Sequence, residues 1–235
     1  SLISSVLTAN TSTDGGGGVS LGSGSGLSVM NSTIAANRGG FSGGGIGMFG
    51  SVLTMGNSIL WGNSVVVPGG ASVMDQQLRV FSGTRTVNRS CVQGLTGQLG
   101  GAANISANPL LADAAAGDVR LLPGSACIDS GSNALVPAGA DTDVYGNPRR
   151  ADDPETADTG VGSAPIVDRG AAEFTPVDVS CPADFNQDGG VDGSDVDAFF
   201  AAWEAGDAAA DVNQDGGIDG SDVDAFFAAW EAGGC

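Results

Sequence analysis

Short alternating runs of hydrophobic and polar residues recur along the first part of the chain. Three runs align, with their terminal asparagines 27 and 26 residues apart: 2–10, 27–37 and 53–63. Glycine clusters keep the same step at 16–19 and 43–46, and more loosely at 69–73. Alternation with period two indicates β-strands, and Gly or Asn between them indicates turns. The pattern therefore predicts a repeat built of short strands.

A repeat made only of short strands cannot bury its apolar face alone, so neighbouring copies have to stack. A parallel β-helix meets this requirement, with coils separated by the inter-strand spacing of about 4.8 Å. We expect Asn10, Asn37 and Asn63 to form a ladder at a turn, because asparagine tolerates the left-handed conformation and can pair its amide with the next coil. A β-sandwich with glycine-rich hairpins is the alternative, although it has no reason to keep a constant step.

The repeats resemble the right-handed β-helix repeats of large secreted bacterial proteins. Four later segments resemble the closing part of such solenoids: 108–113 (NPLLAD), 117–131, 143–149 and 168–174 (DRGAAEF). The resemblance implies a mostly β fold in which residues 1–174 form a right-handed parallel β-helix. Its closing cap, from about residue 100 to 174, is expected to cover the unpaired strand edges of the last coil.

Composition changes abruptly after a short proline-containing linker, 175–183, and residues 184–235 are predicted to form a separate module. Two related segments lie in it, DFNQDGGVDGSD at 184–195 and DVNQDGGIDGSD at 211–222. Oxygen-bearing residues occupy positions 1, 3, 5, 9 and 12 of each, position 7 offers a backbone carbonyl, and position 6 is glycine, as in a calcium loop. We predict two Ca²⁺ ions with these ligands: Asp184, Asn186, Asp188, Gly190, Asp192 and Asp195, then Asp211, Asn213, Asp215, Gly217, Asp219 and Asp222.

Each loop is followed by apolar residues at helical spacing. They fall at i, i+3, i+4 and i+7: Val196, Phe199, Phe200 and Trp203, then Val223, Phe226, Phe227 and Trp230. The spacing predicts one amphipathic helix after each loop. Neither loop is preceded by a helical pattern, so the unit is a loop with an exit helix and is not a complete EF-hand.

This all-α arrangement resembles a dockerin, the calcium-dependent module with which secreted bacterial proteins bind a cohesin or a similar receptor. The resemblance implies a nearly two-fold symmetric module. The residues at the receptor-facing positions are Gly193, Ser194, Gly220 and Ser221. The alternative is a purely structural calcium site in a small domain with little core.

Four cysteines without a C-x-x-C spacing favour an oxidising compartment, so we expect an extracellular or cell-surface protein. We predict a disulfide between Cys91 and Cys127, joining the last coil to the closing segment. A second, between Cys181 and Cys235, is predicted to link the two ends of the module. Two buried free thiols are the alternative for the first pair.

Charge narrows the choice of function. The formal net charge is -19, with eight arginines and no lysine or histidine, which argues against nucleic-acid binding and favours divalent cations. No apolar run is long enough to span a membrane. Residues 1–78 contain only Asp14, Arg38 and Asp75 as charged side chains, too few for polysaccharide cleavage. The charged residues between 141 and 153 are interpreted as a solvated charge run.

Three functions follow from these patterns. The first is an extracellular, non-catalytic structural or scaffold-attached protein, whose calcium-loaded module mediates protein–protein docking. The second is a self-assembling filament or surface-layer subunit with the calcium module at the subunit contact, because an open solenoid end exposes strand edges that another copy can cover. The third is a fragment that binds or cleaves polysaccharide, as a lyase or hydrolase.

Overall fold

A computed structural model describes residues 1–66, 71–175, 181–187, 190–213 and 215–232. The chain divides into two compact units, Ser1–Thr175 and Pro176–Cys235. The first is mostly β, and its strands are: β1 (Leu2–Ile3), β2 (Val6–Thr8), β3 (Val19–Leu21), β4 (Gly26–Met30), β5 (Thr33–Ala35), β6 (Arg38–Gly39), β7 (Ile46–Met48), β8 (Ser51–Gly56), β9 (Ile59–Trp61), β10 (Ser64–Val65), β11 (Leu78–Val80), β12 (Gly83–Asn88), β13 (Cys91–Val92), β14 (Leu111–Asp113) and β15 (Asp118–Leu121). The α-helices are: α1 (Val73–Gln77) in the first unit, and α2 (Gly193–Ala205) and α3 (Gly220–Glu231) in the second.

Strands of successive repeats pair in parallel. Two sheets have four strands, in the orders β1-β4-β8-β12 and β13-β9-β5-β2, a third has the order β11-β7-β3, and β6 pairs with β10. In the second sheet Val6 pairs with Thr33, Thr33 with Ile59, and Ile59 with Cys91. The first two of these steps are the predicted 27 and 26 residues (33 − 6 and 59 − 33), and the third is 32 (91 − 59). The repeat and its mostly β, parallel character are confirmed.

The longer third step contains a short helix that the glycine pattern did not predict. Ser72 accepts the backbone N–H of Asp75 at 3.1 Å and caps α1. Because Ile46 pairs with Leu78, the counterparts of glycines 43–45 are residues 75–77. The loose match at 69–73 was therefore wrong for Val73, which begins α1, while Gly69 and Gly70 lie outside the described residues.

The predicted asparagine ladder is present. The side-chain amide of Asn10 donates to Asn37 Oδ1 at 2.9 Å, and that of Asn37 donates to Asn63 Oδ1 at 3.0 Å. Gln77 extends the ladder, because the Asn63 amide donates to its Oε1 at 2.8 Å. The left-handed residue at each corner, however, is the one before the asparagine: Ala9, Ala36 and Gly62, with φ of 55°, 55° and 65°.

A second ladder, of serines, runs along another corner. The backbone N–H of Ser5 donates to Ser32 Oγ at 3.1 Å, that of Ser32 to Ser58 Oγ at 3.1 Å, and that of Ser58 to Ser90 Oγ at 3.2 Å. Between the ladders, side chains of successive strands form one apolar core, which includes Val29, Ile34, Ile46, Leu53 and Met55. The buried polar columns thus satisfy the backbone where the chain turns from one sheet to the next.

The closing segment covers the last coil over only part of its length. Leu99 is buried in the core, and Ile105 exchanges backbone hydrogen bonds with Ser90 and Val92. Farther along the chain, contacts reach three coils in succession: Ala171 N–H to Thr33 Oγ1, Ser132 N–H to Asn57 Oδ1, and Arg169 Nη1 to the Ser90 carbonyl. The expectation of a cap from about residue 100 to 174 therefore needs correction. The later residues lie along the flank, where backbone at the coil corners offers hydrogen-bonding groups.

The disulfide predicted between Cys91 and Cys127 is not formed. Both residues are buried free thiols. The Cys91 thiol donates to the Ala107 carbonyl at 3.1 Å, and a hydrogen bond to Cys91, together with burial, raises the pKa of Cys127. The two cysteines belong to an apolar cluster with Ile59 and Phe174, in which a thiol packs as a small hydrophobic group.

Candidate metal centre

Helices α2 and α3 form the core of the second unit. The rings of Phe199 and Phe226 are fully buried and stack with their centroids 4.4 Å apart and an interplanar angle of 3°. Phe185 meets Phe199 edge to face at 5.4 Å, and Trp203 and Trp230 pack partly buried around the cluster. The amphipathic helices predicted from the spacing are therefore present, and their apolar faces meet each other.

Each helix begins at a capping box built from the end of a loop. Asp192 is the N-cap of α2, and Asp195 lies in the first helical turn. The side chain of Asp195 accepts the backbone N–H of Asp192 at 2.9 Å. Asp219 and Asp222 repeat this arrangement at the start of α3, also at 2.9 Å. Carboxylates at these positions satisfy N–H groups that the helix leaves without partners. Asp195 and Asp222 are fully buried.

The two halves agree closely in hydrogen-bond geometry. Ser194 N–H donates to Asp192 Oδ1 at 2.8 Å and Ser221 N–H to Asp219 Oδ1 at 2.8 Å. The Asn186 amide donates to Ser194 Oγ at 2.6 Å, and the Asn213 amide to Ser221 Oγ at 2.7 Å. The hydrogen bonds that Ser194 donates to Asp192 lower the pKa of that aspartate, and those from Ser221 lower the pKa of Asp219. The second half of the unit therefore repeats the loop and the helix start of the first half.

The second loop is described at every predicted ligand. Asp211 accepts the N–H groups of Asp215 and Gly216 at 3.1 and 3.0 Å, and Asp222 accepts that of Asn213 at 3.2 Å. Gly216, at position 6, has φ of 87°, the left-handed conformation for which glycine is required in a calcium loop. Each ionised carboxylate has about four lone-pair sites, so accepting one or two N–H groups leaves capacity for a cation.

The first loop is described except at Asp188 and Gly189. Asp195 accepts the N–H of Asn186 at 2.9 Å, as Asp222 does in the second loop. Gln187 has φ of 60°. The ligand prediction for Asp188 lies outside the described residues, whereas those for Asp184, Gly190 and Asp192 fall on described ones.

The loop carboxylates that the structure describes are not drawn together. Among the described residues, the acidic triplet with one oxygen of each side chain within 4.8 Å of the others lies in the first unit. It consists of Asp129, Asp152 and Asp158, and no three described loop carboxylates approach one another so closely. Like charges repel, and backbone N–H groups instead donate to six of the described loop carboxylates: Asp192, Asp195, Asp211, Asp215, Asp219 and Asp222. Calcium binding in the loops would require these side chains to converge.

The four residues at the expected docking positions lie at the helix starts and are exposed. Gly193 and Gly220 open α2 and α3, and a side chain added at either would meet nothing within 4 Å. The hydroxyls of Ser194 and Ser221 donate to Asp192 and Asp219, each at 2.7 Å. Both serines are therefore held by the loops, while both glycines leave open space.

Two details near the loops differ from the sequence-based picture or extend it. A single turn of 3-10 helix, Ala208–Ala210, precedes the second loop, where no helical pattern was expected. Its N-cap Asp207 accepts the N–H of Ala209 at 3.0 Å, and Ala210 is buried against the core.

Cys181 is disulfide-bonded, and its predicted partner Cys235 lies outside the described residues.

The solvated charge run predicted between 141 and 153 is wrong for half of its six charged residues, whereas Asp141, Arg150 and Asp152 are exposed as expected. Asp143, Arg149 and Asp153 are buried. Arg149 donates to the carbonyls of Gly170 and Ala171 and to Glu173 Oε1 at 3.2 Å. Glycine and proline in this loop let the chain fold back so that these groups are enclosed, which composition alone does not reveal.

Comparison with protein-family models, with curated proteins and with solved structures finds no significant match. Among the described residues, no helix has the length and apolar character needed to cross a bilayer.

Proposed function

We propose that this protein is an extracellular, non-catalytic protein held in a larger assembly by its second unit. In this proposal the first unit is a right-handed parallel β-helix. The second is a dockerin-like module that binds two Ca²⁺ ions and docks on a cohesin-like protein receptor through the starts of α2 and α3.

The observation that carries the proposal is the duplication of the loop and helix start. Equivalent hydrogen bonds of Asp192 and Asp219 with the following serines have the same lengths, 2.8 Å and 2.7 Å. Two equivalent surfaces related by an approximate two-fold axis allow one receptor site to bind the module in either of two orientations. The exposure of both equivalent helix starts, each with open space at its glycine, favours a contact surface over a purely structural calcium site.

Calcium binding would stabilise this surface. Position 12 of each loop, Asp195 or Asp222, also belongs to the first turn of its helix. A cation bound there would fix the helix start, and hard oxygen ligands of this kind are those that Ca²⁺ prefers. It would also offset the mutual repulsion of four carboxylates in one loop.

The exposed glycines permit a sharp test. Substituting Gly193→Leu and Gly220→Leu, singly and together, adds bulk to the proposed contact without an internal clash. Binding to a panel of immobilised recombinant cohesin domains is measured with calcium and with EDTA. Each single variant should bind about twofold more weakly, because one of two orientations is lost. The double variant should lose binding at least about a hundredfold, which corresponds to about 2.7 kcal/mol.

Gly22→Leu/Gly26→Leu is the matched control, since both glycines lie in the first unit and also have open space around them. It should bind as the unmodified chain does. Unchanged binding of the Gly193→Leu/Gly220→Leu variant would contradict the proposed surface, and so would binding that persists in EDTA. Failure of the whole panel to bind, combined with calcium-dependent growth of assemblies in size-exclusion chromatography, would instead favour a self-assembling subunit.

A further inference from the structure

The first unit contains an acidic triplet far in sequence from the calcium loops. Asp129, Asp152 and Asp158 each place one carboxylate oxygen within 4.8 Å of the other two. Asp129 is fully buried, whereas Asp152 and Asp158 are exposed. One carboxylate of the cluster is therefore buried, and the other two are accessible to solvent.

Asp129 carries a polar atom that the protein leaves unsatisfied. Its Oδ2 accepts the N–H of Asp153 at 3.2 Å, but its buried Oδ1 has no hydrogen-bond partner. A buried acceptor without a partner costs about 1–3 kcal/mol, and more when it is charged. One oxygen of this carboxylate lies within 4.8 Å of oxygens of Asp152 and Asp158, so a cation that binds all three residues, with both oxygens of Asp129 as ligands, would satisfy Oδ1.

The segment 151–160 is folded around Asp129 by hydrogen bonds at both ends. Thr159 and Gly160 donate their N–H groups to the Asp129 carbonyl, each at 3.0 Å. Inside the segment, Asp153 accepts the Thr156 hydroxyl at 2.6 Å and the Glu155 N–H at 3.2 Å. The two exposed carboxylates are thus carried by an ordered turn that is fixed to the buried one.

The distances suit a calcium ion. Ca²⁺ binds oxygens at about 2.3–2.6 Å, so two ligand oxygens on opposite sides of it are about 4.8 Å apart. Three carboxylates offer up to about six oxygens, and the exposed side admits water to complete the shell. A site of carboxylates and water suits a hard cation, whereas zinc and copper sites usually include thiolate or imidazole ligands. Burial, and then the charges of Asp158 and Asp152, raise the pKa of Asp129 to about 6, which reflects the same crowding.

We propose that Asp129, Asp152 and Asp158 form a third calcium site, in the first unit, that fastens the segment 151–160 to the flank of the stacked repeats. This site is independent of the two loops, and it does not rest on the docking function.

Calcium binding to the full chain, with CaCl₂ as the probe, separates this site from the loops. Asp184→Asn/Asp211→Asn weakens both loops and should leave about one ion per chain in equilibrium dialysis. Adding Asp152→Asn/Asp158→Asn should weaken the remaining binding at least about tenfold. Both of these residues are exposed, so the fold should survive. Calcium should also raise the melting temperature of the first unit in the loop variant and not in the combined variant.

Asp141→Asn/Glu155→Gln provides the matched control in the loop-variant background, because it removes two exposed negative charges from the same region without touching the triplet. It should retain the ion. Equal calcium binding by the loop variant and the combined variant would overturn the site, and so would the absence of any ion in the loop variant. The docking proposal would instead fail through loss of two-ion binding or of receptor binding in chains whose triplet is intact.

Discussion

The rings of Phe199 and Phe226 lie parallel, 4.4 Å apart, at equivalent positions of two helices in the second unit. Both are fully buried. Truncating either ring should create a similar cavity, so we expect Phe199→Ala and Phe226→Ala to lower the free energy of unfolding by similar amounts, about 3–5 kcal/mol each. Urea denaturation followed by tryptophan fluorescence measures the loss.

The neighbouring Phe200 and Phe227 are only partly buried and serve as controls. Phe200→Ala and Phe227→Ala should cost clearly less than the buried pair. A smaller loss for Phe199→Ala than for Phe200→Ala would show that the stacked rings are not the centre of this core.

The asparagine ladder predicts a gradient of stability effects. Asn37 is buried, and its amide donates both to Asn63 Oδ1 and to the Leu7 carbonyl. Asn37→Ala removes the side-chain donor of the Leu7 carbonyl and the acceptor of the Asn10 amide and backbone N–H, so it should cost about 1–3 kcal/mol. Changing Asn10, at the exposed end of the ladder, to alanine should lower the free energy of unfolding by at most about 0.5 kcal/mol. Thermal unfolding of the two variants compares them directly, and equal losses would argue that the ladder contributes no more than a surface contact.

Arg149 is buried together with Glu173, and its guanidinium also serves the carbonyls of Gly170 and Ala171. Arg149→Met removes all of these hydrogen bonds at once. We expect a loss of about 3–5 kcal/mol, measured by chemical denaturation, because two carbonyls and the Glu173 carboxyl, all buried, lose their donor together. Arg120→Met, which removes an exposed ion pair with Asp118, is the control and should change stability by less than about 1 kcal/mol. Comparable losses in the two variants would contradict a structural role for the buried pair.

Burial, and then the charge of Asp168, raise the pKa of Glu173 above its ordinary 4.5. The folded state therefore binds its proton more tightly than the unfolded state does. The stabilisation from the neutral carboxyl is complete below the unfolded pKa and is lost as pH rises towards the folded pKa. Glu173→Gln keeps a neutral side chain at every pH, so it should gain stability relative to the unmodified chain as pH rises from about 5 to 8. Denaturation curves in EDTA across this range provide the measurement, and a constant difference between the two proteins would disprove the raised pKa.

The parts of this fold that sequence predicts are those that repeat. The step of 26 to 27 residues indicates parallel pairing because stacked copies bring equivalent residues into register, and Asn10, Asn37 and Asn63 occupy one corner for that reason. The exit helices were predictable from the spacing of Phe199 and Trp203, since a helix brings such residues onto one face.

The parts that do not repeat were not predictable. Helix α1 interrupts the third step, and Gln77 takes the place of the next asparagine in the ladder. Arg149, Asp143 and Asp153 looked solvated because charge and glycine content describe a segment's composition and not which other segment lies upon it. Asp129 and Asp158 are 29 residues apart (158 − 129), and only the tertiary fold brings their carboxylates together.

The flank contacts have a consequence for the order in which the chain is completed. Ala171 donates to Thr33 Oγ1 across 138 residues, and Arg169 donates to the Ser90 carbonyl across 79. During synthesis on a ribosome, the stacked strands emerge first and can pair with their neighbours. The hydrogen bonds of Ala171 and Arg169 cannot form until the last residues of the unit have emerged. Until then the serine corner of the early coils remains open to water, so the order of synthesis matches the order in which the strands and then the flanking segment can pack.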